Sequence, residues 1–182
     1  MRLREAVEAG DVLAAARAYV AVGLSVIPVR ADGSKAQALD KGQVEQYRER
    51  LPTDDELRGW FGAGRAVGVA VVCGKASGNL AVLDFETADV WDRWLDRVTA
   101  TPFAAAVAAA PQVHTPRGGR HVYVRVRESW VAGGVLARRS KRELLAEVRG
   151  HGHYVLAAGS PPACHELNRP YRIASEGWLA HG

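Results

Sequence analysis

Between residues 80 and 86 the chain reads Leu-Ala-Val-Leu-Asp-Phe-Glu, an apolar β-type run that ends in two carboxylates at i and i+2. Successive side chains on a strand alternate faces, so Asp84 and Glu86 point the same way while Phe85 enters the opposite layer. Two carboxylates side by side repel unless something positive sits between them. Mg²⁺ and Mn²⁺, which prefer oxygen ligands, suit that place. Read alone, the pair is also what a solvated strand end looks like.

The neighbouring segments narrow the choice. Residues 67–73 form a nearly continuous apolar run, as expected of a strand buried on both faces, and the turn at 74–78 makes this run and the carboxylate strand a hairpin or neighbouring strands at the centre of the fold. Ahead of them, Asp11 and Gly23 bracket a helix as N-cap and C′ residue, and residues 24–29 read as a strand whose Pro28 argues for an edge position. A loop with Asp32-Gly33 and Lys35 follows, then a helical stretch over 42–51 and a Thr53/Glu56 capping box before Leu57, Trp60 and Phe61. These helices are expected to cover one face of a sheet.

Beyond the carboxylates, Thr87 opens a helix whose Val90, Trp91, Trp94, Leu95 and Val98 repeat at helical spacing, with the tryptophans as core anchors. The Ala-rich stretch 103–110 fits a helix or an extended link. Next, Thr115-Pro-Arg-Gly-Gly-Arg-His121 places a glycine turn between two strands. Its backbone amides, Arg117, Arg120 and His121 suit a polyphosphate, although a Gly-Gly hairpin flanked by solvated arginines has the same pattern. Residues 128–141 read as a basic, mobile loop, 143–149 as a strand or short helix, 153–158 as a strand, and the tail as loop with a last short strand. If the 143–149 strand pairs beside the first carboxylates, Glu147 is a third oxygen ligand; otherwise it is a surface residue paired to Arg149.

A chain of 182 residues suffices for one full core or two small modules sharing an interface. No apolar run approaches a bilayer span and the N-terminus has no signal-peptide core, so an intracellular protein without a membrane partner is expected. Cys73 and Cys164 without a CxxC make a disulfide framework improbable, and the spacing of His151, His153 and Cys164-His165 matches no common zinc module, so no zinc is expected. The net charge of +4 is small, but arginine crowds Arg117, Arg120, Arg125, Arg127, Arg138, Arg139, Arg142 and Arg149. Guanidinium forks suit phosphate.

Taken in order, the Gly-Leu-Ser-Val-Ile-Pro-Val opening, the Pro-Thr-Asp-Asp-Glu-Leu helix, the 67–86 segment, the Gly-Gly-x-His turn and the stretch from Glu147 to Ser160 resemble the bifunctional primase-polymerase domain of the archaeo-eukaryotic primase superfamily. The resemblance implies an α/β (α+β) fold over residues 1–182 as a single domain. That fold has a central mixed or antiparallel sheet with flanking helices and two intertwined αβ modules forming a cleft. It implies a DNA primase, a DNA polymerase or both, acting on NTPs or dNTPs with two Mg²⁺ or Mn²⁺ ions and a single-stranded DNA template. The expected setting is plasmid, phage or mobile-element replication in the cytoplasm, at the nucleoid, beside a helicase or other replication protein.

By the same resemblance, Asp84 and Glu86 are the paired catalytic carboxylates and Glu147 the third metal ligand. His121 contacts the triphosphate, with Thr115, Gly118, Gly119, Arg120, Arg149 and Ser160 around the same nucleotide. Arg117, Arg138, Arg139 and Lys141 follow the template backbone. Three features depart from the family pattern: Glu147 stands where Asp is usual, Ala36-Gln37-Ala38 replaces a proline after Lys35, and the proline common before Ser160 is absent. A nucleotide- or single-strand-binding module without turnover, and a metal-dependent nuclease, would use the same residues.

Overall fold

The computed structural model describes residues 2–62 and 64–181. Among the described residues nine strands form two antiparallel sheets: β1 (Val26–Arg30), β2 (Val67–Val72), β3 (Leu80–Phe85), β4 (Gln112–His114), β5 (Arg120–Arg125), β6 (Gly134–Arg138), β7 (Leu144–Arg149), β8 (Tyr154–Leu156) and β9 (Arg172–Ser175). The smaller sheet runs β1-β2-β8 and the larger runs β6-β7-β3-β5-β4-β9. Six helices accompany them: α1 (Leu3–Glu8), α2 (Val12–Ala21), α3 (Lys41–Glu45), α4 (Asp54–Phe61), α5 (Ala88–Val98) and α6 (Ala104–Ala109). None of the described helices is long and apolar enough to cross a membrane.

The alternation of β3 decides the layering. Leu80 and Val82 bury against a core shared with the smaller sheet, α1, α2 and α4, whereas Phe85 buries on the opposite face with Trp91 of α5, Val122 and Ala146. The larger sheet is therefore covered on both sides. Phe85 packs edge-on to Trp91 at 5.3 Å and lies 4.8 Å from Trp94, so the two tryptophans are core anchors as their spacing suggests. Asp11 caps α2 by accepting from Ala14 N at 2.9 Å, and the Thr53/Glu56 capping box forms at the head of α4. Pro28 sits on β1, at the sheet edge where its missing N–H is harmless.

Three expectations change, and one left open between two forms is decided. Residues 67–73 and 80–86 do not make a hairpin, because both edges of β2 are taken by β1 and β8. A single bridge, Gly74 to Leu80, joins the two runs, and a 3₁₀ turn at Lys75–Ser77 carries the chain from one sheet to the other. The stretch 42–51 is only a short helix, α3, followed by a 3₁₀ turn at Gln46–Arg48. Residues 104–109 are helical, and the supposed mobile loop contains β6.

Candidate active site

The alternation that sends Leu80 and Val82 into the core brings Asp84, and beyond the strand Glu86, out on the same side. In the larger sheet Asp84 lies directly opposite His121 of β5 on one flank and Glu147 of β7 on the other. The 143–149 segment is thus a strand, and it pairs where a third carboxylate can join the first two. Oxygens of Asp84, Glu86 and Glu147 all lie within 4.8 Å of one another. Asp84 and Glu86 line a cleft of about 530 Å³, and Glu147 lies beside them.

Each carboxylate has a different electrostatic setting. Burial alone would raise the Asp84 carboxyl, but His121 Nε2 at 3.4 Å and Arg149 Nε at 3.6 Å outweigh it and hold the group below its ordinary range. Glu147 is held by Arg149 at 2.5 Å. Among the described residues Glu86 has no such partner. Burial, then the charges of Asp84 and Glu147, push its carboxyl upward despite Arg117 and Lys35 at longer range. A like-charge cluster of hard oxygens with one under-compensated member fits a divalent cation of the Mg²⁺ or Mn²⁺ kind. His121 Nδ1 and Arg149 Nε are buried without hydrogen-bond partners among the described residues, so polar atoms beside the carboxylates remain unpaired.

The cleft is also lined by cations. Lys35, Arg117 and Arg149 line the cleft, and Glu166 pairs with both Arg117 and Lys35, the latter at 4.0 Å. Thr115 lines it as well. Arg117, expected on the template, therefore reaches the same space as the carboxylates.

Several expected residues lie elsewhere. Arg120 is one residue out of phase with His121 and faces α5, where its guanidinium lies 5.0 Å over the Trp91 ring and 3.3 Å from His114 Nε2. Ser160 is buried, donating to Val69 O at 2.8 Å and accepting from Val69 N at 3.0 Å; it locks β2 and does not line the cleft. The Gly118 amide is spent inside its own turn, donating to Thr115 O at 2.9 Å. Gly119 is needed for packing, since a Cβ there would collide with the backbone of Phe85 and Glu86. Arg138, Arg139 and Lys141 lie outside the cleft, Arg139 paired with Glu143 at 2.6 Å.

The cleft also gathers residues that were not expected at a site. Ser34 and Lys35 arrive on the loop after β1, Tyr154 on β8, and His165 and Tyr171 from the tail. Burial, then Lys35, depresses the His165 imidazole, and burial raises the Tyr171 hydroxyl. Lys35 and His165 had visible clues, a cation in a glycine turn and a Cys-His pair; Tyr171 had none. The family model described as "Bifunctional DNA primase/polymerase, N-terminal" matches residues 16–181. No curated protein matches the chain.

Proposed function

The chain belongs to the bifunctional DNA primase/polymerase N-terminal family, and on that premise we propose that its cleft adds nucleotides from NTPs or dNTPs to a 3′ end copied from single-stranded DNA. The reading covers primer synthesis, primer extension or both. One observation carries it: three carboxylates from adjacent strands converge within 4.8 Å, in a cleft that Lys35, Arg117 and Arg149 also line. That is the charge pattern of a metal–triphosphate complex in relief.

Asp84, Glu86 and Glu147 would hold one or two Mg²⁺ or Mn²⁺ ions, which when bound make a 3′-hydroxyl more acidic and neutralise charge on the departing pyrophosphate. The chain's own residues do the rest. His121 and Arg149 keep Asp84 ionised and fix its orientation. Arg117 and Lys35 face phosphate oxygens in the cleft and retain the triphosphate while the α-phosphorus is aligned. A covalent thiol intermediate is unsuited to this site, because burial pushes the Cys73 and Cys164 thiols up to about 12 and about 11.

The test is a labelled primer on a single-stranded template, offered one nucleotide at a time in Mg²⁺ or Mn²⁺, beside an unprimed reaction. Extension only by the complementary nucleotide is expected. Shortening of the DNA without any nucleotide would point to a nuclease, and tight binding without either product to a binding module.

A further inference from the structure

Between Arg127 and Arg142 the chain carries five Lys or Arg residues and one Glu, an excess equal to the whole net charge of +4. The rest of the molecule is balanced. The same segment exposes apolar surface: Trp130 is 46% exposed, Val135 49% and Leu136 52%. Every residue of β6 is exposed, and β6 is an outer edge of the larger sheet. An uncovered apolar edge combined with concentrated positive charge is the surface of a protein that meets a polyanion with exposed aromatic faces.

Trp130 is held in place against His151, the residue that precedes the cleft-lining run 152–156. Its ring lies over the His151 imidazole at 4.5 Å and 33°. Next to it, Val131 O accepts from His151 N at 2.8 Å, and Ala132 bridges to the same residue. Gly133 presses so closely on the His153 imidazole that a Cβ would collide with the ring. His153 itself lines the cleft. One face of the indole is thus ordered against the β7–β8 turn, which follows directly from the strand bearing Glu147 and Arg149, and the remainder is open to solvent.

We propose that Trp130 is a stacking platform for an unpaired base of the template strand, beside the cleft, with the cations of residues 127–142 following the adjoining phosphates. This deepens the polymerase reading and rests on it. Duplex DNA, whose bases are stacked on each other, cannot use the platform. An acidic peptide would use the charges and have no need of the ring.

The test is fluorescence anisotropy of a labelled single-stranded oligonucleotide with the full chain, without metal ion or nucleotide. Trp130→Ala should weaken binding about tenfold, within the range found for loss of one base–aromatic stack. Trp130→Phe should recover most of that loss, and Phe103→Ala, a highly exposed aromatic outside this segment, should change nothing. Equal affinity of Trp130→Ala and the wild type, equal weakening by Trp130→Ala and Trp130→Phe, or displacement by duplex as efficient as by single strand would overturn the platform. Primer extension by the wild type separates the two ideas. Extension with binding indifferent to Trp130 removes the platform alone, whereas Trp130-dependent binding without nucleotide addition removes the polymerase reading alone.

Discussion

Asp84 and Glu86 are two residues apart on one face, yet their carboxyls are displaced in opposite directions, because only Asp84 has His121 and Arg149 beside it. Glu86 therefore carries the unrelieved repulsion of the site. Glu86→Gln should raise the metal-free melting temperature by about 2–4 °C if the relief is worth ~1 kcal/mol. The same change should abolish most of the melting-temperature rise that Mn²⁺ gives the wild type. Gly119 and Ser160 show how a residue can match a functional pattern for a packing reason. Ser160→Ala leaves the buried Val69 N–H without its partner, while Val69 O keeps the Ala157 amide at 3.0 Å, and should cost about 1–3 kcal/mol in urea denaturation while leaving nucleotide affinity intact. A drop in nucleotide affinity at unchanged stability would return Ser160 to the site.

At the scale of elements, the sequence was most legible where local chemistry decides the outcome. The Asp11 cap, the Thr53/Glu56 box, the edge position of Pro28 and the face-sharing of Asp84 and Glu86 each depend on a few adjacent residues. Pairing is a different matter. Whether residues 67–73 meet 80–86 depends on β1 and β8 occupying both edges of β2, and β8 lies some eighty residues away in the chain. β6 escaped notice because it buries nothing and so shows no alternation. The cap on α4 makes a pH prediction. Arg50, against the opposing effect of burial and with help from the Thr53 amide and Tyr47, pulls the Glu56 carboxyl from 4.5 to about 2. A lowered folded-state value means that the stability Glu56 contributes is complete above about 4.5 and is lost as the pH falls toward about 2. Glu56→Gln should be less stable than the wild type by ~1 kcal/mol near neutrality, with the gap closing over that acid window. A gap that persists below it would assign the effect to side-chain packing.

At the scale of the whole molecule, two sheets, one cleft and one localised charge come together. The larger sheet is covered by α5 and α6 on one face and by the main core on the other, and the carboxylates emerge where that core gives way to the cleft. The resemblance noted in the sequence extended to the family itself, since the family model spans residues 16–181. Ordered motifs preserve chain order and spacing, and these suffice to identify a family. They carry less about phase within a strand, which is why Arg120 was grouped with His121 although the pleat sends it to the opposite layer. They also miss Tyr171 and His165, which enter the cleft from the far end of the chain. The proposed function requires that Asp84 and Glu86 make this cleft a metal-dependent nucleotidyltransferase. Its most direct test is single-nucleotide incorporation by the wild type and by Asp84→Ala/Glu86→Ala in Mg²⁺, in Mn²⁺ and in excess chelator, with circular dichroism of both proteins. The account predicts metal-dependent product from the wild type, a loss of about three orders of magnitude or more in the folded double variant, and none with chelator. Incorporation that survives both substitutions would contradict it.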